Sequence, residues 1–168
     1  MPTAKLDKID VRILATLQRE GRITKVALAE RVQLSPTPCW ARLKRLEEAG
    51  LITGYHARLS LRPILRYATI FTQITLHRHR QEDFAMFEKA VMHIPEIVEC
   101  WAVGGGIDYL LKVVTHDIES YQAAIAGLLD RQLGIDQYFT YVVTKPVKQD
   151  DGLPLEVLMG TGEPPPRG

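Results

Sequence analysis

Apolar residues follow two different rhythms along this chain, and the change between them divides it. Before residue 60 the spacing is helical. Leu6, Ile9, Ile13, Leu14 and Leu17 recur at three- and four-residue steps around Asp7 and Asp10, which mark a helix start, and Gly21 closes the segment. Thr24 is positioned to cap a second, short helix with Ala27, Leu28 and Val32 on its apolar side, and Gln33-Leu34 lead directly to Ser35. A third helix begins there. Pro36 and Pro38 lack backbone donors, but the first helical turn pairs none of its N–H groups internally, so both fit behind Ser35 as N-cap. Cys39, Leu43 and Leu46 then form one stripe, Thr37, Ala41, Lys44 and Arg45 lie opposite, Arg42 sits on a flank, and Gly50 stops the helix.

A short helix, a tight turn and a basic helix in succession make a helix-turn-helix pattern, with small Ala29 where the helices approach and Leu34 in the turn. Gln33 stands where such turns often carry Gly. Leu51 to Leu59 alternates weakly around Gly54, a pattern compatible with a wing-like strand or hairpin; that would set His56 and Arg58 near a DNA backbone, while their plainer reading is as exposed surface residues. Residues 1–60 therefore form one domain, and 61–67, irregular around Pro63, a linker.

The second rhythm occupies 68–145. Ile70, Thr72, Ile74 and Leu76 alternate as a strand; Phe84, Phe87, Val91 and Ile94 step as a helix ended by Pro95. Ile97–Val103 and Asp108–Val114 read as strands around Gly104-Gly105-Gly106. Asp117 caps a helix with Ile118, Tyr121, Ile125 and Leu128 inward, and Ile135–Val143 is the last strand. The order β-α-β-β-α-β suits a four-stranded antiparallel sheet with both helices on one face, so the fold class is α+β: a winged helix-turn-helix followed by a ferredoxin-like domain. The other sheet face needs a partner, with Phe71, Trp101, Tyr109 and Tyr141 as candidates for it, and at least a dimer is expected. Residues 146–168 read as a tail, partly docked through the apolar island Leu153–Met159 and ending in disorder.

Charge sharpens this division. The 168 residues carry a net charge of only +1, but residues 1–60 hold 11 Lys and Arg against 6 Asp and Glu, and 61–168 hold 10 against 14. The first part suits a polyanion and the second does not. Cys39 and Cys100 are the only cysteines, both inside apolar patterns, so buried, reduced thiols and a cytoplasmic location are expected. A leader sequence and a membrane-spanning apolar run are both absent from the pattern.

The segments LDKIDVRIL, GRITKVALAERVQLSPTPCWARLKRLEEAGLITGY, DYLLKV and TYVV carry a resemblance to the leucine-responsive regulatory protein/AsnC family of transcription regulators, covering roughly Leu6 to Gln149. The resemblance implies a homodimer that reads double-stranded DNA with paired helix-turn-helix units and assembles further, typically to an octamer. It also implies an amino-acid effector bound between dimers, with no other cofactor. DNA recognition then falls to Ser35, Thr37, Pro38, Trp40, Ala41, Arg42, Lys44 and Arg45. Residues near the helix N-terminus reach bases and the long cations neutralise phosphates, while Trp40, beside the core stripe, is read as packing first and base contact second. The effector would meet Ala102, Gly104, Gly105, Gly106, Asp108, Ile118, Tyr138 and Thr140, Asp108 taking its ammonium and the glycine N–H groups its carboxylate, although spacing alone reads these glycines first as a plain loop between strands. Gly106 departs from the family pattern, which often has an acidic residue there.

Two rival readings remain open at this level. An architectural DNA-binding protein that senses nothing would share the basic helix and the oligomer. An enzyme would have to use His77 and His79, which present two imidazoles on one side of an extended strand, but no third ligand follows at metal-site spacing and no nucleotide-binding or hydrolase motif occurs.

Overall fold

The computed structural model describes residues 6–61, 63–148 and 152–160. The chain forms two compact units, residues 1–59 with 148–168, and residues 60–147.

The first unit is built on α1 (Lys8–Arg19), α2 (Lys25–Arg31) and α3 (Pro36–Glu48). A reciprocal capping box starts α1: Asp7 accepts from the N–H groups of Ile9 and Asp10, and Asp10 accepts from the N–H of Asp7 at 3.1 Å. Thr24 caps α2 by accepting from Ala27 at 3.2 Å. Ser35 has N-cap backbone geometry, yet its side chain makes no capping hydrogen bond. The three helices enclose Ile13, Leu28, Ala29, Val32, Cys39, Leu43 and Leu46. Between α2 and α3, Gln33 adopts φ +60°, the left-handed conformation that glycine reaches more easily, and Leu34 N–H closes on Ala29 C=O at 2.9 Å.

The expected wing strands are absent: among the described residues from Leu51 to Leu61 no strand forms. Ile52 packs on the helical core and Tyr55 donates to Glu47 at 2.8 Å, so the segment is tied to the helices by side chains, with no second strand offering it a ladder. The apolar island after residue 150 forms a single turn, α6 (Leu155–Leu158), against α1. Gln18 holds it on both sides of one residue, accepting from Leu153 N–H at 2.7 Å and donating to Leu153 C=O at 3.1 Å. The disorder expected at the end of the tail concerns 161–168, outside the described residues.

The second unit has the order β1 (Ala68–Leu76), α4 (Gln81–Val91), β2 (Ile97–Ala102), β3 (Tyr109–Thr115), α5 (Ile118–Leu129) and β4 (Ile135–Val142). The strands pair antiparallel as β2-β3-β1-β4, the arrangement expected of a ferredoxin-like sheet. Ile70, Ile74, Leu76, Leu111 and Val113 form one face with Phe87 and Val91 of α4 and Tyr121, Ile125 and Leu128 of α5. Thr72, buried among them, shares a hydrogen bond with the Tyr121 hydroxyl at 2.9 Å, and that hydroxyl meets Thr140 at 2.6 Å. The register sets Phe71 opposite Lys112 and Tyr141, and Gln73 opposite Phe139, on the other face. Trp101, Phe139 and Tyr141 are exposed there.

Three expectations fail in this unit. Tyr109 belongs to the helix-covered face, 2% exposed, because it pairs with inward-facing Ile74; its hydroxyl donates to Glu88 at 2.9 Å. Ile118, expected inward, is 41% exposed in the first turn of α5, outside the buried core formed by Tyr121, Ile125 and Leu128 of the same helix. Cys100 is exposed on edge strand β2, whereas Cys39 is buried as expected.

Candidate functional site

The outward side of α3 consists of Ser35, Thr37, Pro38, Trp40, Ala41, Lys44 and Arg45, all exposed, with Arg42 half-buried. The fold uses these groups unequally. Arg42 donates to Asp7 at 2.6 Å and to Asp10 at 2.9 Å, and Arg45 donates to Asp10 at 2.6 Å. Two of the three cations on this helix are thus joined to the carboxylates that cap α1. The shifts in proton affinity agree with the geometry. The N–H of Asp10, followed by the Arg42 guanidinium, holds Asp7 below the ordinary carboxylate range. Burial pushes Asp10 upwards, but Arg45, the Asp7 N–H and Arg42 together outweigh it, and Asp10 also ends lowered.

Lys44 differs. Among the described residues its ammonium reaches only Glu48, at 3.6 Å, with both side chains largely exposed, and such a pair leaves the charge available. Trp40 is not packed into the core as read from its position: half its surface is exposed, and Lys25 Nζ sits 4.5 Å from the ring centroid. That leaves an indole and an ammonium together on the face that also presents Thr37, Pro38, Ala41 and the unused Ser35 hydroxyl. The arginine clamp escaped the sequence reading because Asp7 and Asp10 read as a helix cap alone; nothing local pairs them with residues more than thirty positions away.

The second set of candidates separates into two places. Ala102 pairs with Tyr109 at the end of β2, and the chain then turns through Gly104, Gly105 and Gly106 to Asp108. A side chain at any of the three glycines would meet nothing within 4 Å, so the turn is open; only Gly105, at φ +131°, requires glycine for its backbone. Asp108 is engaged. Its N–H donates to Ile74 C=O at 3.0 Å, its Oδ2 accepts from Leu76 N–H at 2.7 Å, and His79 Nε2 lies 3.2 Å from each carboxylate oxygen. Ile118, Tyr138 and Thr140 instead line a groove of about 400 Å³ between α5 and β4, with Tyr121, Ile125 and Leu129. Neither the three glycines nor Asp108 lines that groove, since β1 and β3 separate edge strand β2 from edge strand β4.

His77 and His79 face different carboxylates, Asp136 at 3.6 Å and Asp108 at 3.2 Å, and do not converge. Among the described residues no group of three or more His, Cys, Asp or Glu is arranged to hold a metal ion, and no helix is long and apolar enough to cross a membrane.

Residues 6–53 match the winged helix-turn-helix DNA-binding family, and residues 69–153 match the Lrp/AsnC ligand binding domain. The chain belongs to the Lrp/AsnC family. It is 50% identical over 145 residues to the transcriptional regulatory protein DoeX of Halomonas elongata, covering 86% of this chain and 92% of that one. It is 43% identical over 152 residues to the leucine-responsive regulatory protein of Escherichia coli, covering 90% and 93%. Among solved structures, a transcriptional regulator of Neisseria meningitidis in complex with L-Met superposes with a TM-score of 0.84 at 36% identity, covering 92% of this chain and 99% of that one. As a member of the Lrp/AsnC family the protein is a DNA-binding transcriptional regulator with a ligand-binding domain, and not an enzyme.

Proposed function

We propose that this regulator reads specific operator sequences with α3 of paired helix-turn-helix units and responds to a free amino acid held at the β2–β3 turn. The observation that carries the reading is the division of labour on α3. Arg42 and Arg45 fix the helix to α1, while Ser35, Thr37, Pro38, Trp40, Ala41 and Lys44 face outward with no part in the core. A rigidly held helix with free polar groups near its N-terminus is the geometry that reads base edges, and Lys44 is the cation left for a phosphate.

The paired units require a homodimer. The open sheet face, with Trp101, Phe139 and Tyr141 exposed, is the apolar surface suited to forming it, and further assembly to an octamer follows the family's habit. For the effector, Asp108 supplies an acceptor for an ammonium and the open glycine turn supplies N–H groups for a carboxylate. The groove bounded by Ile118, Tyr138 and Thr140 lies apart from these groups within one chain, so a site using all eight candidate residues draws them from more than one copy. One relative is named leucine-responsive and another is solved with L-Met, which favours an amino acid as the ligand class. We place the protein in the cytoplasm, where DNA and free amino acids are both present.

A thermal-shift screen of the twenty standard amino acids, followed by gel shifts on DNA upstream of the protein's own gene, tests this reading. A stabilising amino acid that also alters the gel shift is the expected result. DNA binding with no shift from any amino acid would favour the architectural alternative.

A further inference from the structure

We propose that His79 occupies, in the free protein, the position at Asp108 that an effector's ammonium takes. Binding is then an exchange of donors, and it weakens as the imidazole gains a proton. This rests on the reading of Asp108 as the effector's anchor.

The two contacts of the Asp108 carboxylate differ in kind. The β1–β3 ladder ends at Ile74 opposite Tyr109, and the Asp108 side chain supplies the acceptor for the next free N–H of β1, that of Leu76, at 2.7 Å. That bond belongs to the sheet and stays. The second contact, His79 Nε2 at 3.2 Å, comes from a side chain that is 60% exposed, whereas the Asp108 side chain is only 15% exposed. Among the described residues, His79 is the one side chain hydrogen-bonded to Asp108. Its imidazole leans on Phe84, ring centroids 6.0 Å apart, and Phe84 in turn meets the edge of buried Tyr109 at 6.1 Å. The ring is therefore rested against an aromatic wall and can leave without opening the core.

Other charged groups lie on its own link, on α4 and on β4. Arg78 and Arg80 flank it on the same exposed link, Glu82 and Asp83 lie in the first turn of α4, Glu88 further along α4 is taken by Tyr109, and Asp136 on β4 takes His77. An ionised carboxylate only accepts, so Nε2 carries the hydrogen in this contact. A neutral imidazole offers a single ordinary hydrogen bond, and an imidazolium offers an ion pair. Histidine changes charge between about pH 5 and 8, so acidification strengthens the occupant that the ligand must displace. An exposed ion pair of this kind corresponds to a change of about two- to fivefold in an equilibrium constant.

The test is calorimetric titration of the full chain with the twenty standard L-amino acids, L-leucine and L-methionine first, at pH 8, 7 and 6. Wild type is compared with His79→Ala, His77→Ala and Asp108→Ala. Wild type and His77→Ala should lose about two- to fivefold in affinity from pH 8 to 6. His79→Ala should bind more tightly than wild type at pH 6, by a similar factor of about two to five, with a flat profile. Binding abolished in Asp108→Ala, but with the wild-type pH profile retained in His79→Ala, overturns the exchange and leaves the Asp108 anchor standing. Undiminished binding by Asp108→Ala, or no heat with any amino acid, overturns both.

Discussion

Replacing Asp10 by alanine is the sharpest probe of how the DNA-reading helix is held. The carboxylate is 1% exposed and receives three donors: the Asp7 N–H at 3.1 Å, Arg42 at 2.9 Å and Arg45 at 2.6 Å. Breaking a fully buried ion pair costs about 3–5 kcal/mol, mostly because the surviving charge is stranded. Here neither arginine is stranded. Arg45 is 53% exposed and rehydrates, and Arg42 keeps Asp7 at 2.6 Å. What is lost is one helix-capping hydrogen bond, worth about 1 kcal/mol, and two charge-assisted bonds that are partly screened, together about 1–2 kcal/mol. The sum is about 2–3 kcal/mol of destabilisation, confined to the first unit. Asp10→Asn keeps an acceptor for the Asp7 N–H and should lose about half as much. The chain has two tryptophans, so in a Trp101→Phe background the fluorescence of Trp40 follows urea unfolding of the first unit. Asp7 and Asp10 are both lowered from an ordinary value of 3.8, so the folded unit binds fewer protons than the unfolded chain in acid. Their contribution is complete above about pH 4–5 and disappears as the pH falls through the lowered folded-state values. Asp10→Ala should flatten this acid loss. A change below about 0.5 kcal/mol, or an unaltered acid profile, would refute the claim that the carboxylates organise α3.

Gln33→Gly relieves a left-handed residue in the turn and should stabilise the first unit by about 0.5–1 kcal/mol, read in the same urea titration, without changing DNA affinity. Lys44→Ala should weaken operator binding and lower the slope of log affinity against log salt by about 1 in a fluorescence-anisotropy salt series; an unchanged slope would remove Lys44 from the phosphate contacts. Arg45→Ala should lower stability more than Lys44→Ala does and change the salt slope less, because its guanidinium is bonded to Asp10. Phe139→Asp, on the open sheet face, should shift the molecule to monomers in sedimentation velocity with its helical signal retained; an unaltered sedimentation coefficient would exclude that face from the dimer.

The helices were legible because their apolar residues recur at the helical period and carry their own stops: Asp7, Thr24 and Asp117 each accept a capping bond at the position their sequence spacing suggests. The order of elements and the antiparallel sheet followed from the switch in period. The face of a given strand residue was harder to read. Tyr-Leu-Leu-Lys-Val-Val has apolar residues at both parities, and Lys112 is the single local sign that Leu110 and Val114 share the outward side; the pairing of Tyr109 with inward-facing Ile74 decides it. The segment after Gly50 alternates as a strand would, but a strand exists only through a partner, and none of the described neighbours offers one. At the candidate site, the residue types of α3 were readable while their commitments were not. Which arginine faces a phosphate and which a carboxylate depends on residues about 35 positions apart. His79 drew notice only as half of a possible imidazole pair. Its contact with Asp108 spans 29 residues and passes through the return of the sheet.

The bond between Gln18 and Leu153 sets a timetable for synthesis. Its two residues are 135 positions apart, and at about 5–20 residues per second a ribosome needs about 7–27 s to make that stretch. Through that interval the nascent helices α1 to α3 can assemble, but the side of α1 around Ala15 and Gln18 stays uncovered. A chaperone or protease meeting the growing chain encounters a DNA-reading unit that is folded and still open along one flank, and the segment around Leu153 closes it once it has been made.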